Sequence, residues 1–242
     1  MAAFAQPGAY DYNSTVFSPD GRLYQVEYAR ELVNRGATIL GIQCAEGVVL
    51  ASEENVEVLE ESGCSWKVFR IDEHIGAAIA GLASDARVLI DQARIDAQSN
   101  KLTYDEPIDV EVVTQKICDI QQTYTQHGGG RPFGVTMVLG GVDKEGARVF
   151  QTHPSGSYMG YKAVAVGAGS ETVLSMLKEE YSEDLTLEKC VKLAVKCLVK
   201  ALEARQLPLR IKIAVISIAT KKMEMLSDKA VEDYVKGSAR LP

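Results

Sequence analysis

The order in which strand-like and helix-like runs follow one another constrains this chain more than any single motif. From Thr38 to Ala80 come short runs rich in Val, Ile and Ala: Thr38–Cys44, Gly47–Ser52, Val68–Asp72 and Ile75–Ala80. "AEG" separates the first pair and "DEH" the second, which is hairpin spacing. Then the period changes. Leu82, Ala86, Leu89, Ile90, Ala93 and Ala97 recur at helical spacing, and Val110, Val113, Ile117, Ile120 and Tyr124 repeat the pattern. Strand runs return in "GVTMVLGGVDKEGARVFQT", turning at "DKEG", and in "YKAVAVG". Two helices follow, with Ser170 and Thr186 as expected N-caps. Along the second, Leu187, Val191, Ala194, Val195, Leu198 and Leu202 form a wide apolar stripe. "IKIAVISIAT", "KKMEM" and a helix from about Ser227 come last. Ahead of all this, "SPDG" (18–21) predicts a turn and Arg22–Asn34 a helix, with Leu23, Val26, Ala29, Leu32 and Val33 on its inner face.

Strands and helices in blocks, rather than in alternation, predict antiparallel sheets and an α+β fold. Two antiparallel sheets between helix layers, a four-layer sandwich, accommodate this order. No linker, repeat or low-complexity stretch divides the chain. Residues 18–242 therefore read as one domain behind an irregular segment, 1–17.

Several function classes are disfavoured. The net charge of −7, from 26 basic and 33 acidic residues, argues against nucleic acid or an anionic membrane surface as partner. No apolar run approaches the ~18–20 residues of a membrane span, and "MAAFAQPGAYDYN" lacks the pattern of a secretory signal. The cysteines Cys44, Cys64, Cys118, Cys190 and Cys197 are odd in number and contain no C-x-x-C. That predicts reduced thiols in the cytoplasm rather than a disulfide framework or a zinc site. His74, His127 and His153 lack ligand spacing, so no metal site is expected. "AVAVGAGSET" resembles a dinucleotide fingerprint, but Thr172 stands where a small residue belongs and no acidic residue follows at the right distance. It reads as a strand-to-helix turn. "HGGGRPFG" lacks the Lys-Ser/Thr of a phosphate loop and reads as a re-entry into the sheet. No cofactor is implied.

Thr38 is the remaining candidate for chemistry. A threonine hydroxyl needs a base to become a nucleophile, and one available base is the residue's own α-amine at a processed chain start. With 37 residues ahead of it, the Thr38 nitrogen is an amide and has no such basicity. Cleavage after Ala37 would be required to free it.

"YDYNSTVFSPDGRLYQVEYA" (10–29), "GLASDARVLIDQAR" (81–94), "YTQHGGGRPFGV" (124–135) and "HPSGSYMGYKAVAVG" (153–167) closely resemble α-subunits of the 20S proteasome. The short "QHGGGRPFG" loop is similar to archaeal ones. The resemblance runs from about Tyr10 to the last helix and implies the N-terminal-nucleophile hydrolase sandwich. It also implies a non-catalytic chain. Ala37 stands where catalytic β-chains keep their first threonine, with Glu53 and Lys67 where they keep an acidic partner and a lysine.

What the resemblance implies further is a seven-membered ring of α-chains capping rings of β-chains. Residues 1–17 would gate the axial pore, ordered by a cluster of Tyr10, Asp11, Pro19 and Tyr28. C-terminal tails of AAA ATPase activators would enter pockets between neighbouring α-subunits, at Lys67, Gly21, Glu27, Leu32 and Leu82. Two departures stand out. Tyr12 replaces the arginine usual at the gate, and "SEENV" lacks the basic residues often found after that Glu. A stand-alone amidohydrolase and a homomeric scaffold ring without a protease partner are the alternative readings of the same fold.

Overall fold

The computed structural model describes residues 10–54, 59, 67–207 and 210–238. Helix α1 (Tyr24–Asn34) leads into two hairpins, β1 (Ile39–Cys44) with β2 (Gly47–Glu53), and β3 (Val68–Asp72) with β4 (Ile75–Gly81). Two long helices follow, α2 (Ala83–Tyr104) and α3 (Val110–Gln126). Strands β5 (Val135–Asp143), β6 (Gly146–Thr152), β7 (Tyr158–Gly160) and β8 (Ala163–Val166) precede helices α4 (Ser170–Glu180) and α5 (Leu187–Ala204). Strands β9 (Ile211–Ser217) and β10 (Met223–Met225) and helix α6 (Asp228–Ser238) complete the order.

The strands form two five-stranded sheets, β10-β9-β2-β1-β8 and β3-β4-β5-β6-β7. Every pairing is antiparallel, with Leu40 opposite Ala51 in one sheet and Ala77 opposite Leu139 in the other. Three apolar clusters glue four layers together. One lies between the sheets and includes Ile39, Val48, Leu50, Val138, Val149 and Ile216. A second joins the first sheet to α4, α5 and α6. A third joins the other sheet to α2 and α3. Strand β2 has a sheet neighbour on each side and a packed layer on each face, so all its residues are buried. This is the expected α+β sandwich.

The boundaries differ from the sequence pattern where tertiary contacts override it. Strand β7 carries no strong apolar alternation and exists as an edge beside β6. Ser170 does not cap α4: Gly169 holds that position, without a side-chain cap, and Ser170 is the first helical residue. Thr186 does cap α5, accepting from the Lys189 N–H. On α1 the buried residues are Val26, Ala29 and Val33, while Leu32 turns outward. Leu82 is likewise not on the core face of α2. It precedes the helix and is 37% exposed.

Candidate functional site

Ala37 and Thr38 lie where α1 hands over to β1, at one end of the first sheet. The fold crowds this corner. A Cβ at Gly167 would lie 2.3 Å from the Ala37 carbonyl oxygen, and one at Gly169 would lie 2.8 Å from Thr38 Oγ1. Gly167 also has φ +106°, which strains any other residue. The "GAG" motif is therefore glycine-rich so that the turn from β8 into α4 can press against residues 37 and 38. Ala168 N–H donates to Gly36 O at 3.0 Å, completing the contact.

Thr38 is fully buried. Its hydroxyl accepts from the Gly169 N–H at 3.0 Å and from Arg205 Nη1 at 3.2 Å. Both partners are donors. An amide and a guanidinium cannot take a proton from the hydroxyl at neutral pH, so the contacts hold the oxygen in place without activating it. Arg205 caps the C-terminal end of α5 and also reaches Glu53 Oε2 at 2.6 Å. Glu53 is 1% exposed and Arg205 29%, so a nearly buried carboxylate is held by a cation that still touches solvent. The backbone closes the same unit: Glu53 N–H donates to Thr38 O at 2.9 Å.

Lys67 precedes β3 and is half-buried. Burial pushes its ammonium below the ordinary lysine range, and the charges of Glu54 and Glu53 draw it partly back up. A cation already stripped of water in this way binds an incoming anion at reduced desolvation cost.

The turn before α1 is closed locally. Ser18 N–H donates to Arg22 O, Gly21 N–H to Ser18 O, and Arg22 N–H to Ser18 Oγ at 3.1 Å. Pro19 lies exposed on this turn, and Gly21 takes φ +74°, which the turn requires and only glycine adopts without strain. Arg22 pairs with Glu27, Nε to Oε1 at 2.8 Å, and this contact holds the Glu27 carboxyl below its usual range. The Leu32 side chain covers Gly134, whose carbonyl accepts from the Leu82 N–H. Leu32 and Leu82 thus meet at one residue, though they are far apart in sequence.

Gly134 belongs to a clamp that the sequence pattern did not reveal. Asp85, in the first turn of α2, accepts from Arg131 Nη1 at 2.6 Å and Nη2 at 2.8 Å, and from the Gly134 N–H at 2.8 Å. The glycine-rich loop leads back into the sheet at β5, as expected, and also braces the start of α2. It also holds the segment ahead of α1, because Ser14 Oγ donates to Gly130 O at 3.1 Å.

That segment has further tethers on α1. Gln25 donates to the Asp11 carbonyl, and the Asp11 carboxylate lies close enough to the Tyr28 hydroxyl to act on it. Partial burial, together with this carboxylate, raises the Tyr28 hydroxyl above the usual tyrosine range. Tyr10 is partly buried and Tyr12 is 93% exposed. The remainder of the expected gate, residues 1–9, lies outside the described residues.

A family model described as "Proteasome subunit" matches residues 33–216, and the model of the N-terminal signature of A-type proteasome subunits matches residues 10–31. The chain is 48% identical to "Proteasome subunit alpha" of Methanothermobacter thermautotrophicus over 232 residues, 96% of this chain and 94% of the relative. The chain belongs to the proteasome α-subunit family. The same description holds for the relative in Methanopyrus kandleri, 48% identical over 238 residues with 96% and 97% coverage. The relative in Methanocaldococcus jannaschii is 46% identical over 231 residues, covering 95% of this chain and 88% of its own length. The family's N-terminal signature takes in Tyr10, Asp11, Tyr12, Pro19, Gly21, Glu27 and Tyr28. Lys67 and Leu82 fall within the longer match, and Leu32 lies between the two.

Among the described residues no helix is long and apolar enough to cross a membrane, and no group of three His, Cys, Asp or Glu side chains gathers as a metal would require. The histidines have other partners: His74 Nε2 is 2.8 Å from Ile108 O, and His153 Nδ1 is 2.8 Å from Ser155 Oγ.

Proposed function

We propose that this chain is the non-catalytic α-ring subunit of an archaeal-type 20S proteasome core. Seven copies form the ring that caps a ring of β-subunits in the cytoplasm. Residues 1–17 act as the gate of the axial pore, and 18–242 form the single domain that carries it. The observation that carries the reading is the corner at residues 37 and 38. Ala37 has no hydroxyl, and among the described residues the buried Thr38 hydroxyl is hydrogen-bonded to two donors, the Gly169 N–H and Arg205. Glu53, the acidic residue of the site, is committed to Arg205. The scaffold of a hydrolase corner thus serves stability, and the peptide-cutting threonine belongs to the β-partner.

The test is co-expression with a threonine-type β-chain. The chain alone hydrolyses no peptide, and the co-assembled particle does. Thr38→Val in the α-chain leaves turnover per particle unchanged, and N-terminal sequencing finds no chain beginning at Thr38. Peptide hydrolysis by the chain alone, abolished by Thr38→Val, would overturn the reading.

The regulatory half rests on Lys67. Gly21, Glu27, Leu32 and Leu82 frame an exposed surface, and Lys67 offers a desolvated ammonium to the terminal carboxylate of an AAA ATPase activator tail. Tail binding shifts the Pro19 turn and with it the Asp11–Tyr28 pair. Lys67→Ala lowers activator-stimulated degradation of folded proteins by about thirtyfold or more, equivalent to the ~2 kcal/mol lower end for truncating a buried charge pair. Small-peptide hydrolysis by an already open particle stays the same. Equal stimulation of both proteins in a titration with the activator ATPase would remove Lys67 from the docking site.

A further inference from the structure

Cys44 and Cys190 form a thiol pair that the α-subunit function does not use. Cys44 is the last residue of β1, and Cys190 lies in the first turn of α5, with its N–H on the Thr186 carbonyl. Both are free thiols, 4% and 0% exposed, in the same apolar cluster. Each thiol shifts the other, lowering Cys44 and raising Cys190. The backbone N–H groups of Glu46 and Gly47, in the turn that follows, also favour the Cys44 thiolate.

The approach is fixed from both sides. Glu46 Oε2 accepts from the Leu187 N–H at 2.7 Å, which pins the β1–β2 turn to the start of α5. The Glu46 carbonyl accepts from the Ile218 N–H at 2.9 Å, which pins the same turn to the end of β9. Tyr181 closes the corner, its hydroxyl donating to Gln43 O at 3.0 Å. Ala45 and Glu46 are exposed, so Cys44 sits one residue below the surface.

We propose that Cys44 and Cys190 are a redox site, a dithiol that hydrogen peroxide converts to a disulfide stapling the end of β1 to the first turn of α5. The Cys44 thiolate attacks one peroxide oxygen, breaks the O–O bond and becomes a sulfenic acid, and the departing hydroxide is protonated to water. The Cys190 thiol then attacks the sulfenic sulfur. It loses its proton and expels a second water as the S–S bond forms. Two electrons pass from the sulfurs to the peroxide, and a small thiol reductant reverses the change by exchange.

The electrostatics agree with these roles. The Cys190 side chain lowers the Cys44 thiol, burial opposes this, and the two backbone N–H groups lower it further. Cys44 in turn raises Cys190, which enters as the thiol partner. Glu46, which works against the Cys44 thiolate, and Tyr181 are the other titratable groups that sense the pair. Cys118 and Cys197 provide the internal contrast. Burial pushes each of them up to about 12.

The experiment treats the full chain carrying Cys64→Ser with equimolar hydrogen peroxide at neutral pH. Acid quenching, unfolding, alkylation and peptide mass spectrometry follow. The expected result is one cross-linked peptide pair joining Cys44 to Cys190, lost on reduction, with Cys118 and Cys197 alkylated as free thiols. Cys44→Ser and Cys190→Ser each abolish it, and without oxidant Cys44 reacts with a small disulfide at least tenfold faster than Cys118 or Cys197. The oxidised chain also unfolds at higher temperature than the reduced one, because the staple closes more than half of the chain into one loop. The proposal fails if all four cysteines are alkylated after oxidation of the otherwise unsubstituted chain. A cross-link that joins a different pair also sinks it.

Discussion

The Thr38 corner and the segment ahead of α1 lie close in sequence and are built in opposite ways. At Thr38 the polar groups are mostly buried and held by partners far along the chain: Gly169 and Arg205 hold the hydroxyl, and Arg205 also holds Glu53 Oε2, while Glu53 Oε1 is buried without a hydrogen-bond partner. At residues 10–28 the contacts are mostly local and exposed, within the Ser18–Arg22 turn or between Asp11 and α1. A corner that could house catalysis has become a fixed joint. The sites proposed for gating and docking sit instead where few contacts must be broken to move. Regions that switch are drawn from the less stable parts of a fold, and this chain separates the two kinds of region within its first 53 residues.

The comparison breaks first at Arg205. Arg205→Ala leaves the Glu53 carboxylate buried without its cation and removes one of the two donors to Thr38. The expected loss is ~3–5 kcal/mol in denaturant unfolding. Arg205→Met combined with Glu53→Gln recovers most of it, since no charge is then left unpaired. If Arg205→Ala unfolds like the unsubstituted chain, the corner is not a joint.

Asp85→Asn has the next largest effect, about 1–2 kcal/mol, from the lost charge-assisted bonds to Arg131 and Gly134. It also carries a pH signature. Burial works to raise the Asp85 carboxyl, but the Arg131 and Gly134 hydrogen bonds outweigh it and hold the group below its ordinary value. The folded state therefore binds this proton less readily than the unfolded chain. Its contribution is complete above the unfolded value, near pH ~4, and is lost as pH falls through the lower folded value. The gap in melting temperature between the two proteins should narrow on acidification below pH ~4; a constant gap would show that the charge contributes nothing.

Gly21→Ala is smaller. No atom lies within 4 Å of the added Cβ, so only the φ of +74° opposes it, at ~1 kcal/mol. The cost falls on the Ser18–Arg22 turn, so faster hydrogen exchange confined to residues 18–22 is expected, with the core unchanged.

Tyr28→Phe is smallest in stability and sharpest as a contrast. It removes the hydroxyl from Asp11 on an exposed surface, so the unfolding midpoint should not move. Proteolysis within residues 10–17 should accelerate. The raised Tyr28 value has the opposite sign to Asp85: its contribution is present below the unfolded tyrosine value near pH ~10 and is lost as pH rises through the folded one. If the segment is cleaved no faster in Tyr28→Phe, the pair does not order it.

Residue patterns made much of this architecture legible. The inward faces of α2 and α5, the hairpins at "AEG" and "DKEG", and the Thr186 cap depend on neighbours a few residues away, which period and capping chemistry report. Strand β7 depends on β6 and has no periodic signature of its own. The outward turn of Leu32 is set by its contact with Gly134, which lies about a hundred positions further on. Glu53 was legible as a site residue only through the family resemblance. A buried carboxylate also requires a cation, but nothing local designates Arg205, 152 positions away. The Asp85–Arg131 clamp was hidden for the same reason.

The sequence alone determined the α+β class, the kinship to proteasome α-subunits and the absence of a hydroxyl at Ala37. These follow from residue identity and short-range spacing. Only the tertiary structure decided what surrounds the Thr38 hydroxyl, which charge answers Glu53, and that Cys44 meets Cys190. Those pairings join positions more than a hundred residues apart. Their geometry is fixed by how two sheets and the helix α5 pack, because the directional, short-range bonds that define a site are placed by the non-directional burial that builds the core.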